Sequence, residues 1–421
     1  MTERKLPMNT RDRLLRGEIV IAILGPLKLP ERESFVRALR TIASAGPHTR
    51  VGLGFHADGR NWVFDRSQLD QWCDDLVLTV RTATAETVHA VAMQQTWLVD
   101  AEHPLRFVLA GDYIIQVNDH SIGDGATLLD RLSTVVKLAC GDDDIPAWVT
   151  NPPRTLPLVR ALENSFVRNR GGVRALLANR KADRAQPRVR DTGELIPWRP
   201  ELAASVAASP PSALKSIQRW IRETDRSVTV AGALVVLLRR AFETSGMEVQ
   251  RDTTMVYNLR RYLPEDGGAL TGNLISGLPL RVDDGNNPKQ VSDAIARQLD
   301  SGRPLVALVI GVVRRAIFGG DFVLAGQVHA VPRVQLVFNN MGVARALQQL
   351  PWTTAVDERT VSFVVRPDEP EDITVIVAIV GGVIHLTASF HANVFSEAAV
   401  TEVLQRALDN PLALLESLAG A

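Results

Sequence analysis

The sequence predicts an α/β protein of two halves, and three observations carry that expectation. Strand-like apolar runs alternate with stretches of helical apolar spacing along the chain. The 421 residues exceed what one hydrophobic core ordinarily organises. Between Lys181 and Pro200 the composition turns to Arg, Asp and Pro with few apolar side chains, as in Arg184, Pro187, Arg188, Arg190 and Pro197, which is how a linker reads. The expected division is residues 1–180, a linker over 181–200, and residues 201–421.

Ile19 to Leu24 reads as the first strand. The run is short, ends at Gly25-Pro26 and has no small-residue cleavage site, so it does not read as a signal peptide. Glu31 to Ala45 follows as a helix, with Phe35, Val36, Leu39 and Ile42 on one face. Val51 to His56 and Asn61 to Phe64 flank Ala57-Asp58-Gly59-Arg60, a hairpin signal. A helical stretch near Thr84 to Gln94 comes next. Leu105 to Ala110 and Tyr113 to Val117, separated by Gly111-Asp112, predict a second hairpin with Tyr113, Ile115 and Val117 on one face. Leu129, Leu132, Val135, Val136 and Ala139 then place a helix over Asp124 to Ala139.

Beyond the linker the spacing gives a strand at Leu202 to Ala207, helices at Ser212 to Glu223 and Val228 to Phe242, and a strand at Thr253 to Leu259. A helix at Val291 to Leu299 and a strand at Val334 to Phe338 follow. Ser362 to Arg366, Ile373 to Val380 and Val383 to Phe390 read as paired strands, and Ser396 as the cap of a last helix through Leu408.

Composition narrows the function. The 47 basic and 47 acidic side chains cancel, so no overall field draws the chain to nucleic acid or acidic lipid. The two cysteines, Cys73 and Cys140, lie in no ligand pattern, which predicts a reduced, cytoplasmic setting with no structural metal. The most apolar late stretch, Ile373 to Leu386, is shorter than the roughly 20 residues that span a bilayer, and no membrane span is expected.

The chemistry concentrates in His120-Ser121-Ile122-Gly123-Asp124-Gly125, where a strand gives way to a helix. A strand end holds an imidazole at a sheet edge, where clefts form. An imidazole titrating near neutrality can take a proton from a hydroxyl or amine and return it to a leaving thiolate. Asp124 can fix the turn by pairing with a buried Arg, and Gly125 removes a Cβ where the helix approaches a neighbour. A histidine after a strand is also commonly a surface residue with no such role.

Tyr113 to Leu129, with its His-x-x-x-Asp-Gly core, resembles the active-site segment of the HxxxD acyltransferases. Further elements resemble that superfamily in the same order: the helix from Val228 to Phe242; Val256-Tyr257-Asn258-Leu259-Arg260-Arg261-Tyr262-Leu263-Pro264; Thr271-Gly272-Asn273-Leu274-Ile275 with Leu278-Pro279-Leu280-Arg281-Val282; and Ile384 to His391 with its terminal helix. The superfamily includes chloramphenicol acetyltransferase, condensation domains, wax ester synthases and mycobacterial polyketide-associated acyltransferases. At Asp119 the chain departs from the condensation pattern, which carries a first His there, and it lacks the late Asp-Phe-Gly-Trp-Gly motif of the plant-type enzymes. The condensation and polyketide-associated branches are therefore the more similar ones.

The resemblance implies two chloramphenicol-acetyltransferase-like halves arranged as a V, with His120 in a central tunnel as general base and Asp124 supported by Arg260. It implies transfer of an acyl group from acyl-CoA, or from the phosphopantetheine of an acyl or peptidyl carrier protein, to an alcohol or amine, an ester being favoured over an amide. The thioester is a substrate, and no bound cofactor or metal is implied. The fused halves suggest a monomer. The alternative is a non-catalytic condensation-like module that recruits a carrier protein or partner enzyme.

Other residues carry two readings. Asp119, Asn273, Asn339 and Asn340 are candidates for the tunnel wall, although Gly-Asn and Asn-Asn pairs also form turns. Ser121 reads as a helix cap, not a nucleophile. His385 fits the polar face of a strand. Arg154, Arg160, Arg168, Arg170 and Arg174 read as a solvated face or as a docking face for a carrier protein or CoA phosphates.

Overall fold

Long apolar runs form strands buried on both faces, while shorter alternating ones sit at edges. In the computed structural model the strands of the two larger sheets are β1 (Ile19–Gly25), β2 (Val77–Thr79), β3 (Leu105–Ala110), β4 (Tyr113–Asp119), β5 (Leu202–Ala208), β6 (Thr253–Asn258), β7 (Ile275–Leu280), β8 (Gln335–Val343), β9 (Thr360–Val365), β10 (Asp372–Val380) and β11 (Val383–His391). The first sheet has the order β9-β1-β4-β3-β2 and the second β7-β6-β8-β10-β11-β5. The structure describes residues 3–95, 99, 102–152, 157–169, 171–185, 193–263, 272–318 and 325–416. Arg154 and Arg170 of the expected basic face lie outside them, as do Pro264 and Thr271.

The helices around these sheets include α1 (Thr10–Arg13), which contacts the His120 turn, α2 (Arg32–Ser44), α3 (Gly125–Ala139), α4 (Ala213–Thr224), α5 (Val230–Thr244), α6 (Pro288–Asp300), α7 (Arg303–Phe318) and α8 (Glu397–Asp409). β1 shows why its sequence is apolar throughout. Val20, Ala22 and Leu24 join the core under α2 and α3, and Ile21 and Ile23 join a second cluster with Val108, Ile115 and Val117. The expected shared face of Tyr113, Ile115 and Val117 is the one that enters this second cluster.

β10 ties the two sheets' cores together. Ile373, Val375, Val377 and Ile379 pack with α5 and α8, whereas Ile376, Ala378 and Val380 belong to the core under α2 and α3. Burying one such Val or Ile fully contributes about 1.5–3 kcal/mol, so this alternation joins the cores with substantial energy.

Both predicted hairpins form. Ala110 stands opposite Tyr113, and Asn61–Asp65 pairs with Gly54–Phe55 and, on its other edge, with Glu3–Pro7. The strand expected from Val51 shortens to Gly54–Phe55, the chain still turning at Val51 and Gly52 after Arg50, whose φ is 66°. The first of the three late strands departs from expectation: β9 pairs antiparallel with β1, Thr360 opposite Gly25 and Val365 opposite Val20, instead of with the β10–β11 hairpin. Its Val361 and Phe363 enter the first core. β11 still holds it, since the Thr387 and Ser389 hydroxyls accept from the Phe363 and Val365 N–H groups at 3.1 and 3.2 Å. His385 lies on that face, and burial lowers its pKa to about 4, so it stays neutral at pH 7.

Three further differences have local causes. α7 has no counterpart in the sequence expectations: it is rich in β-branched residues, and Ile310, Val313 and Ile317 are exposed, so no single apolar stripe announces it. β8 continues five residues past Phe338 and takes Asn339 and Asn340 into the strand, with the irregularity falling between Asn340 and Gly342. Ser396 stands at the N-cap of α8 but its side chain makes no capping bond. Within 181–200, the described part holds the end of a helix, Gly172–Ala185, and a strand, Leu195–Pro197, that pairs with Gln327–His329. Among the described residues, no helix is long and apolar enough to cross a membrane.

Candidate active site

The site begins where β4 ends. Asp119 organises the turn: its carboxylate accepts from Ser121 N–H at 2.8 Å and Gly17 N–H at 2.7 Å. The His120 N–H donates to the Glu18 carbonyl at 2.7 Å, so β4 remains tied to the start of β1 through the turn. Gly123 has φ 151°, and a Cβ there would meet Thr127 Cγ2 at 2.5 Å, so both backbone and space require glycine. Asp124 then caps α3, its Oδ1 accepting from Thr127 N–H at 3.1 Å. This replaces the cap expected of Ser121, which lies inside the turn. A Cβ on Gly125 would touch Met341 Cε at 3.0 Å, the close approach expected there.

Asp124 is fully buried and fully engaged. Its Oδ2 accepts from Arg260 Nη1 at 2.7 Å and from the Leu274 N–H at 2.8 Å. Arg260 Nη2 also donates to Thr127 Oγ1 and the Gly272 carbonyl, each at 3.1 Å. Burial works against ionisation of Asp124, and the Arg260 charge together with these donors outweighs it, leaving the carboxyl below its ordinary value. One ion pair thus locks the His120 turn to the chain segment after β6. Beneath the turn, fully buried Arg131 donates to the Ile122 carbonyl at 3.0 Å.

The second lock acts on the imidazole itself. His120 Nδ1 lies 3.1 Å from Asn273 Oδ1. The amide orientation follows from the other side of Asn273, whose Nδ2 faces only acceptors: Asp12 Oδ1 at 3.1 Å and the His120 carbonyl at 2.9 Å. Since Oδ1 can only accept, Nδ1 carries the proton of that bond. Asp12 is held in turn by Arg50 at 2.7 Å, and Arg50 Nη1 donates to the Ser121 carbonyl at 3.0 Å. The result is an imidazole whose Nδ1 edge is held by Asn273 and whose backbone is held by the Glu18 carbonyl.

His120 opens onto a cavity of about 620 Å³ lined from both sheets, with Asn273, Asn339, Val256 and Val365 in its wall. Two of the tunnel candidates take other places. Asp119 spends its carboxylate on the turn, and burial pushes its pKa up despite those donors; Asn340 Oδ1 accepts from the Gly342 N–H at 2.9 Å and stabilises the β8 irregularity. Alternation along β8 explains why Asn339 faces the cavity and its neighbour does not. The cavity wall also holds Glu18, Asp368, Glu369, Asp372, Arg11 and Arg366, none of which the sequence singled out. Asp12, Arg50 and Thr127 were missed as well. For Thr127 a signal existed, because an Asp three residues before a Thr at a helix start is a capping pattern; for the others none is visible, since each acts across long sequence separations.

On the described face with the remaining basic residues, Arg168 pairs with Glu163 at 2.9 Å, and Arg174 is exposed.

No protein-family model and no curated protein matches the sequence. Solved structures do match the fold. A trichothecene 15-O-acetyltransferase from Fusarium sporotrichioides superposes with TM-score 0.64 at 12% identity, covering 98% of this chain and 95% of that one. The condensation domain of the Monacolin K polyketide synthase gives 0.62 at 15% identity over 99% and 97%. The epimerization domain from the third module of tyrocidine synthetase B gives 0.61 at 11% identity over 100% and 99%. The chain therefore has the chloramphenicol-acetyltransferase-like fold of condensation domains, over its whole length.

Proposed function

We propose that the chain is an acyltransferase in which His120 Nε2 is the general base. The observation that carries this reading is the bond from Nδ1 to Asn273, which leaves Nε2 without a hydrogen-bond partner among the described residues, on a side chain that lines a cavity large enough for substrate. The acceptor hydroxyl or amine gives its proton to Nε2 as its oxygen or nitrogen attacks the thioester carbonyl. When the tetrahedral intermediate collapses, the C–S bond breaks and the thiolate takes the proton back from Nε2. Throughout, Nδ1–H stays on Asn273 Oδ1. Asp124 and Arg260 touch no reacting atom and act by holding the turn. The donor is an acyl-CoA or an acyl group on a carrier protein's phosphopantetheine, and the neighbours that act as an acetyltransferase and as condensation domains support that class.

The test is thiol release and product mass for wild type and His120→Ala, with a panel of acyl-CoA and acyl-carrier donors and with alcohols and amines as acceptors. General base catalysis contributes roughly 10²–10⁴-fold, so a folded His120→Ala protein should lose turnover by that factor. A folded but inert wild type, or a mutant that matches it, would replace this reading with a recruitment module that binds a carrier protein without catalysis.

A further inference from the structure

We infer that the cavity beside His120 takes an acceptor bearing a cationic amino group, with the Glu18 carboxylate as its counter-ion. The inference rests on the acyl-transfer reading for the word acceptor, but the binding site itself does not need it.

Glu18 carries the argument. It is 8% exposed and lines the cavity, and among the described residues its carboxylate has no hydrogen-bond or ion-pair partner. A buried carboxylate without a partner costs several kcal/mol unless it is protonated or a ligand supplies the charge. Its own carbonyl accepts from the His120 N–H at 2.7 Å, so the residue is fixed alongside the base. The unpartnered group therefore faces the space an acceptor must occupy.

The surroundings favour a cation over an anion. Asp368 and Glu369 stand at the exposed side of the cavity and Asp372 in its wall, so four carboxyl groups face two guanidiniums, Arg11 and Arg366. Arg366 already donates to the Gly17 carbonyl at 3.2 Å. Arg11 is buried, which lowers its pKa, and lies in the opposing fields of Asp12 and Asp124 on one hand and Arg50 and Arg260 on the other. An anionic ligand would have to sit against bare Glu18; an ammonium group would satisfy it.

Burial, with the Asp368 and Asp119 charges adding to it and Arg366 opposing, pushes the Glu18 pKa to about 8. At pH 7 the empty site therefore holds a proton on Glu18, and an arriving ammonium displaces it. Binding should release a proton and tighten as pH rises toward about 8.

The experiment is a ligand-detected NMR titration of the full chain with no thioester present, using 4-amino-1-butanol, 1-pentanol and 4-hydroxybutanoate. A charge-assisted hydrogen bond is worth about 1.5–3 kcal/mol, so at pH 8.5 the amino alcohol should bind at least about tenfold tighter than 1-pentanol, and 4-hydroxybutanoate weakest of all. Glu18→Gln should abolish the preference and Glu18→Asp retain part of it. Should Glu18→Gln fail to fold, Asp368→Asn at the exposed side should reduce the preference severalfold. Equal binding of the three probes, a preference for the carboxylate, or a preference that survives Glu18→Gln would overturn the inference. Preference for the amino alcohol in a chain that transfers no acyl group would leave the cation site standing and remove the catalytic reading alone.

Discussion

Two buried carboxyl groups flank the same histidine and behave oppositely. Asp124, 1% exposed, meets a guanidinium, two backbone N–H groups and a hydroxyl, and its pKa falls below the ordinary value. Glu18, 8% exposed, meets none of these, and its pKa rises to about 8. Burial penalises both charges; what separates them is whether the fold supplies donors. The pair shows how one site divides its carboxyl groups: the donor-rich one is structural, and the donor-poor one remains open to a ligand.

The comparison breaks hardest at Arg260. Arg260→Met strips the Asp124 charge of its main partner in a dry place, and such losses run to about 3–5 kcal/mol. Chemical denaturation at pH 7 should show that drop, and adding Asp124→Asn should recover most of it. If the two substitutions simply add, Asp124 is not the paired charge described here.

A smaller effect appears in the pH dependence of stability. Glu18 has a folded pKa above its unfolded one, so the proton it binds stabilises the fold below about pH 4.5 and that contribution is lost as pH rises toward about 8. Asp372, raised to about 7 mainly by burial, adds to the same slope. Asp124 has the reverse sign, and its contribution is lost as pH falls below about 4. Thermal melts from pH 5 to 9 should therefore fall in wild type and fall less steeply in Glu18→Gln, where Asp372 still contributes, the variant gaining up to a few kcal/mol at the alkaline end. An unchanged slope would mean that Glu18 is solvated.

Asn273 sharpens the catalytic side. Asn273→Ala frees the imidazole to change tautomer and tilt, which should reduce kcat roughly tenfold to a hundredfold while a melt shows the fold intact. The loss should fall on kcat with KM little changed, a split that a merely structural asparagine would not produce.

Much of this was legible before any coordinates. The apolar runs of β1, β4, β10 and β11, the Gly111-Asp112 hairpin and the start of α3 at Asp124 all follow from spacing and turn residues within a few positions of one another. His120 was legible as a residue at a strand-to-helix turn, and the resemblance to HxxxD acyltransferases pointed to Arg260 as the partner of Asp124, a contact of 2.7 Å in the structure. The β9 pairing was not legible, because its apolar faces suit either sheet and only the competition between cores chooses β1. Nor could periodicity find α7, whose apolar residues are spread around the helix.

The sequence by itself determined the local elements and the position of His120 at a strand-to-helix turn, because spacing, caps and turns act over one or two turns of chain. Only the tertiary structure decided which ring nitrogen of His120 is held, which carboxylate is paired and which is bare. Asn273 lies 153 residues from His120 and Arg260 136 from Asp124; hydrogen bonds and charges act through a few ångströms of space, and sequence separation does not record that distance.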